Sequence, residues 1–226
     1  MKLSIIVPCY NEEKTIEEII KKIKNIKFIK KEIIIIDDYS TDRTKKILEK
    51  IDNHEIKVLY NELNYGKGYS VRKGIKFSSG DIIIIQDADL EYDPEDINKL
   101  LEIAITEKKD FVIGHRLMKT TIKHPYFYFR ELAVNSLTLL LNILYGTSIK
   151  DCACCYRLFT SDLWKNIDGK ADEFEYDFSI ICQAVKKTKN IGQCSVYYMS
   201  RTYEEGKKCT WDVGIHAFKR IILDRF

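Results

Sequence analysis

Short apolar runs recur along the first half of the chain, and each closes in polar or acidic residues. Leu3 to Val7, Glu32 to Asp37, Ile56 to Tyr60 and Ile82 to Ile85 read as buried strands. Between them lie helical stretches. One starts from Pro8-Cys9-Tyr10-Asn11-Glu12-Glu13 and runs to about Ile26, with Asn11 as N-cap and acids in its first turn. A second covers Arg43 to Lys50, a third follows Gly68 to Phe77, and a fourth follows Pro94. Asp110 to Gly114 reads as a fifth strand. This alternation predicts a mostly parallel sheet with helices on both faces, an arrangement that binds ligands outside the carboxyl ends of its strands.

The second half is less regular. His115 to Phe129 mixes basic and aromatic residues without a period and reads as a long loop. Arg130 to Tyr145 reads as a helix, Cys154 to Phe159 as a strand, Glu173 to Lys187 as a helix, Gly192 to Met199 as a strand and Trp211 to Phe226 as a closing helix. In that last helix Trp211, Ile215, Phe218 and Ile222 recur at helical spacing, which fits packing on the core or on a second copy better than a lipid interface. With no internal repeat, low-complexity stretch or break in composition, residues 1–226 are expected to form a single α/β domain.

Composition narrows the partners. A formal charge of +3 over 226 residues comes from many charges of both signs, so it implies no nucleic acid partner. Seven cysteines form an odd set without a CxxC pair, and the first residues do not read as a secretion leader. A reducing, cytoplasmic setting follows as the expectation. Cys152, Cys154 and Cys155 lack the spacing of a structural zinc site and read as buried thiols. No apolar stretch reaches the roughly 18–20 residues of a membrane span. Leu132 to Tyr145 comes nearest but carries Asn135, Ser136 and Asn142, so any membrane contact is expected to be peripheral, from the cytosolic face.

The chemistry concentrates where the fourth strand ends, in Gln86-Asp87-Ala88-Asp89-Leu90-Glu91. In an extended chain alternate side chains share a side, so Asp87, Asp89 and Glu91 can converge on one cation. Carboxylates suit Mg2+ or Mn2+, which in turn hold phosphate oxygens. The plain structural alternative is that these acids open a loop and cap the helix after Pro94. Asp37 and Asp38 end a second strand, where a carboxylate can accept from a base or a ribose hydroxyl. Gly66-Lys67-Gly68 opens a helix without completing either GxGxxG or GxxxxGKS/T, leaving a tight turn or a phosphate contact as its readings. Arg116, Arg130, Arg201, Lys207 and Lys208 supply local positive charge suited to a phosphate. His115 and His124 read as ordinary loop residues.

Taken in order, Ile5-Ile6-Val7-Pro8-Cys9-Tyr10-Asn11-Glu12-Glu13, Asp37-Asp38-Tyr39-Ser40-Thr41-Asp42, Asn64-Tyr65-Gly66-Lys67-Gly68, Gln86 to Pro94, Gly114-His115-Arg116, Asp151 to Phe159 and Arg201 to Lys208 resemble family 2 glycosyltransferases of the GT-A fold. The likeness is strongest to the dolichyl-phosphate mannose or glucose synthase-like branch and runs from Ile5 to about Phe218. It implies a hexosyltransferase using a UDP- or GDP-sugar. Pro8, Tyr10, Glu12 and Asp38 would surround the nucleoside, and Lys67, Asp87 and Ala88 would complete the donor site. Asp87, Asp89 and Glu91 would hold the metal; Arg116, Arg130 and Arg201 would approach an acceptor phosphate. Tyr39 stands where the family commonly has glycine, His115 where a small residue is frequent, and Cys-Ala-Cys-Cys precedes Tyr156.

The resemblance implies an inverting transfer in which Asp89, Arg116 and Asp177 act at the reacting groups. A hydroxyl acceptor has to lose a proton as it attacks, which makes Glu175 and Asp177 candidate bases. A lipid phosphate is already ionised and needs cations to orient it. The polyprenyl phosphate is the preferred acceptor, at a membrane surface, with a glycan hydroxyl as the alternative and a homodimer as a further partner. A nucleotidyltransferase would carry a glycine-rich basic loop after its first strand, where this chain has Pro8 to Glu12. A non-catalytic sugar-nucleotide binder is the remaining alternative.

Overall fold

The isoleucine runs become strands because β-branched side chains have few rotamers to lose and pack well on a pleated surface. The computed structural model describes residues 1–27, 30–118, 125–167, 176–201 and 212–226. Its strands are β1 (Leu3–Cys9), β2 (Lys31–Asp37), β3 (Ile56–Tyr60), β4 (Ile82–Ile85), β5 (Phe111–Met118), β6 (Arg157–Thr160) and β7 (Ile191–Tyr198). They form one seven-stranded sheet in the order β3-β2-β1-β4-β6-β5-β7. Only β6 runs antiparallel to its neighbours. The expected fold class, a mostly parallel α/β sheet flanked by helices, is the one observed.

Alternate residues of each strand feed two separate cores, so both faces of the sheet are apolar. Ile5, Val7, Ile33, Ile35, Ile82 and Ile84 pack with α1 (Ile16–Lys24) and α4 (Ile97–Thr106). Ile6, Ile34, Ile36, Ile83 and Ile85 pack with α3 (Lys67–Lys76), α5 (Pro125–Tyr145), α7 (Tyr176–Lys187) and α8 (Asp212–Leu223). The short helices α2 (Thr44–Leu48) and α6 (Ser161–Trp164) complete the set. Strand order reverses between β1 and β4, and a crevice opens there beyond the strands' carboxyl ends.

Helix α3 lies against β1 and β2 through Gly74, where a Cβ would stand 2.5 Å from Ile36 Cδ1 and 2.6 Å from Ile6 Cγ2. Gly74→Ala gains about 1 kcal/mol of helix propensity but overpacks this contact, at a cost of about 1–3 kcal/mol. Net destabilisation is expected in urea unfolding; an unchanged midpoint would mean that the two isoleucines yield.

Four local expectations are corrected. The stretch read as a loop, His115 to Phe129, begins instead as the end of β5, which pairs with β7 as far as Met118. It finishes as the first turns of α5, starting at Pro125. The strand expected over Cys154 to Phe159 is β6, Arg157–Thr160. Asn11 does not cap α1, which starts at Ile16. Asn11 takes φ 53°, and its Oδ1 accepts from the Thr41 backbone N–H at 2.8 Å, fastening the loops after β1 and β2 together. In α8 the core-facing residues are Ala217 and Ile221, while Ile215 and Phe218 stay exposed; Trp211 lies outside the described residues.

Candidate functional site

The crevice at the strand reversal widens into a cleft of about 600 Å3 lined by Pro8, Tyr10, Glu12, Asp38, Tyr65, Gly66 and Lys67. Asp87, Ala88, Asp89, Glu91, Arg116, Arg130, Asp177, Tyr198 and Arg201 line the same cleft. Pro8, Tyr10, Glu12, Asp38, Lys67, Asp87, Ala88, Asp89, Glu91, Arg116, Arg130, Asp177 and Arg201, all candidates from the sequence, border this one cavity, whereas Asp37 and Gly68 do not line it. Glu175, Lys207, Lys208 and His124 lie outside the described residues.

Asp38 is buried, and its carboxylate organises the loop before α3. It accepts from Asn61 Nδ2 at 2.7 Å, from the Tyr65 N–H at 3.0 Å and from the Gly66 N–H at 2.8 Å. Gly66 holds φ 89°, a left-handed conformation that glycine adopts without strain. Tyr39 takes φ 66°, a conformation for which glycine is the unstrained choice. Its neighbour Asp37 is buried, and that burial raises its carboxyl above the usual range.

The acids lie on a turn and not within the strand. Strand β4 ends at Ile85, and Leu90 at φ 60° reverses the chain between Asp89 and Glu91. Asp89 Oδ1 accepts from the Glu91 N–H at 3.0 Å. Burial, then the nearby charges of Asp87 and Glu91, push the Asp89 carboxyl up to about 7. Asp87 meets Lys67 Nζ at 2.8 Å, and the same ammonium lies 3.0 Å from Asp177. Burial works against the charge on Lys67, but Asp177 and Asp87 outweigh it and hold its pKa well above the ordinary value. Asp177 is held low in turn by Lys67 and then Arg157, against the opposing effect of burial.

The donor set fits a hard divalent cation. Asp87 and Asp89 offer carboxylate oxygens at one turn, where a cation would offset both the burial of Asp89 and the neighbouring charges of Asp87 and Glu91. Among the described residues no three ligating side chains already meet at one point. A small hard ion commonly takes one or two carboxylates and completes its shell from phosphates and water.

Three arginines lining the cleft are held by different means. Arg116 makes a bidentate pair with Asp151, Nε to Oδ2 at 2.6 Å and Nη2 to Oδ1 at 2.8 Å. Arg130 donates to Tyr198 Oη at 2.8 Å and to Ser200 Oγ at 3.1 Å. Arg201 reaches back to the acids, donating to Glu12 at 3.0 and 3.1 Å and to Asp89 Oδ2 at 3.2 Å. Ala133, Val134 and Leu137 of α5 and Val213 of α8 add an apolar wall beside them. Outside the cleft Leu132, Leu139 and Ile143 of α5 are exposed, near α8 with its exposed Ile215 and Phe218. Among the described residues no helix is long and apolar enough to cross a membrane.

Sequence reasoning assigns no site role to Asp151, Arg157 or Tyr198, although Asp151 to Phe159 belongs to the ordered motifs. Asp151 and Arg157 flank the cysteine cluster, but nothing local says that one pairs with Arg116 and the other with Asp177. Of that cluster, Cys152 and Cys154 are buried as expected, their thiols pushed up by burial to about 11 and about 12, whereas Cys155 is half-buried.

Comparison with known proteins adds to this geometry. A family model described as Glycosyl transferase family 2 matches residues 4–167. A dolichol-phosphate mannosyltransferase of Pyrococcus furiosus is 37% identical over 134 residues, covering 58% of this chain and 38% of its own length. A dolichyl-phosphate beta-glucosyltransferase of Dictyostelium discoideum is 30% identical over 245 residues, covering 99% of this chain and 74% of its own. The chain spans about half the length, or less, of several curated relatives it matches. Among solved structures, glucosyl-3-phosphoglycerate synthase from Mycobacterium tuberculosis, in complex with Mn2+, UDP and glucosyl-3-phosphoglycerate, superposes with a TM-score of 0.74 at 19% identity. That match covers 99% of this chain and 79% of the synthase. A further crystal form of the synthase holds Mg2+ and UDP. At such identity the likeness establishes the fold, the GT-A arrangement.

Proposed function

The chain belongs to glycosyl transferase family 2, and from that premise we propose that residues 1–226 form the catalytic domain of an inverting hexosyltransferase. It moves a sugar from a nucleoside-diphosphate sugar to a polyprenyl phosphate. One observation carries the reading: a single cleft joins an acidic turn suited to a metal diphosphate with three arginines and an apolar wall. Relatives named for dolichyl-phosphate acceptors, and a structural neighbour crystallised with UDP and Mn2+ or Mg2+, support it.

In this reading Pro8, Tyr10 and Glu12 border the nucleoside, and Asp38 shapes its pocket by holding the backbone at Tyr65 and Gly66. Asp87 and Asp89, with Glu91 beside them, would hold Mg2+ or Mn2+, which when bound acts as a Lewis acid toward the departing diphosphate. Lys67 keeps Asp87 oriented and adds positive charge beside the phosphates. Arg116, Arg130 and Arg201 orient the acceptor phosphate, whose oxygen attacks the anomeric carbon. A bond from that carbon to the acceptor oxygen forms as the bond to the diphosphate oxygen breaks on the opposite face.

An ionised phosphate needs no base. Asp177 is held as a carboxylate between Lys67 and Arg157, with its oxygens engaged by both, so its role is to fix Lys67. The exposed apolar residues of α5 and α8 support work at a membrane surface. Incubating the protein with Mn2+ and UDP- or GDP-sugars, against a short polyprenyl phosphate and against glycans, tests the reading. Transfer to the phosphate lipid is expected; transfer to glycan hydroxyls alone would overturn the acceptor assignment.

A further inference from the structure

Tyr198 closes β7 where the acidic and basic sides of the cleft meet. Its side chain is buried, and its ring packs on Tyr92 at 5.0 Å between centroids; Tyr92 packs in turn on Tyr156 at 4.9 Å. The backbones of Tyr92 and Tyr198 also form an antiparallel bridge. A core role alone would be met by phenylalanine, since packing of this kind uses only the ring. The phenol does more. It donates to Glu91 Oε2 at 2.8 Å and accepts from Arg130 Nη2 at 2.8 Å, using both hydrogen-bonding capacities on two groups of opposite charge.

The ring is engaged as well. The guanidinium of Arg116 lies 5.2 Å from its centroid and that of Arg130 lies 5.7 Å away, both within cation–π range. Glu91 extends the connection, since its Oε1 accepts from the Arg201 backbone N–H at 2.9 Å and its carbonyl from the Met199 N–H at 2.9 Å. Three arginines from three segments are thus referred to one aromatic side chain, two by direct contact and Arg201 through Glu91.

We propose that Tyr198 is a positioning residue whose phenol sets Arg130 against Glu91 and so fixes the anion-binding side of the cleft relative to its acidic floor. The proposal rests on the reading that these arginines receive a phosphate. It assigns Tyr198 no contact with substrate; its effect passes through Arg130 and Glu91.

Tyr198→Phe keeps the ring and removes only the hydroxyl. With farnesyl phosphate as probe, the variant is expected to bind about tenfold more weakly by calorimetry and to raise the acceptor KM by a similar factor. The donor KM and kcat are expected to stay within about twofold, and the thermal midpoint within a few degrees. On an Arg130→Lys background the same change is expected to add less than twofold. A purely structural tyrosine would instead lower stability, reduce all kinetic constants together and act equally in both backgrounds, and that pattern or an unchanged acceptor KM would overturn the assignment. If the unsubstituted protein binds no farnesyl phosphate, the acceptor reading fails on its own account. Tyr198 is then judged by arginine side-chain NMR without ligand. Faster rotation of the Arg130 guanidinium in Tyr198→Phe supports the positioning role, and an unchanged Arg130 signal overturns it.

Discussion

Asp89→Asn is expected to lower turnover by about three orders of magnitude while the protein stays folded. Stabilising a departing diphosphate with a divalent ion contributes several kcal/mol, and about 4 kcal/mol corresponds to roughly a thousandfold at 1.36 kcal/mol per decade. Asparagine keeps the side chain's size and one acceptor oxygen, so the hydrogen bond from the Glu91 N–H can persist. It removes one of three neighbouring negative charges, and burial already disfavours that charge. The unfolding midpoint measured without metal is therefore expected to hold or rise. Steady-state kinetics over a Mn2+ series, beside thermal unfolding, separate the two effects. Activity within tenfold of the unsubstituted protein would remove Asp89 from the metal assignment.

The largest loss of stability is expected at Arg157, which is fully buried. Its guanidinium donates to the Asp177 carbonyl oxygen, to Asp177 Oδ1 at 3.1 Å and to the Cys152 carbonyl oxygen at 3.2 Å. Arg157→Met roughly preserves volume but leaves Asp177 with Lys67 as its one remaining cation in these contacts, and strips two backbone carbonyls of a donor. Breaking a buried pair by removing one partner costs about 3–5 kcal/mol. For a domain of this size that is a fall in Tm on the order of 10 °C. Calorimetry measures it directly, and a fall of less than 2 °C would mean that water or a rearranged side chain replaces the guanidinium. Turnover should fall as well, because Asp177 holds Lys67 and Lys67 holds Asp87.

The two predictions bear on parts of the site that differ in how readable they were. Asp89 was visible because a run of isoleucines ends abruptly in Asp-Ala-Asp, a contrast between neighbours along the chain. Arg157 was not, since within Tyr156-Arg157-Leu158-Phe159 it looks like one polar residue in an apolar strand. Its partner lies in α7, and only packing brings the two together. The end of β5 was hidden for a similar reason: His115, Arg116 and Leu117 have no strand-like alternation of their own and are held by pairing with β7. The acids themselves were found by the wrong geometry. They lie beyond the end of β4, and the positive φ of Leu90 turns the chain before Glu91, which the alternation rule for extended chains does not describe.

The sequence by itself determined what neighbours along the chain can decide: the buried strands, most of the helices between them, and the acids and glycines at the strand ends. These follow from side-chain periodicity and local backbone preference, which act over a few residues. Only the tertiary structure decided how the charges are shared. Lys67 bridges to Asp177 across 110 positions, and Arg201 reaches Glu12 across 189. A charge taken out of water is stabilised by whatever opposite charge the fold brings within a few ångströms, and that distance is set by how the helices pack on the sheet.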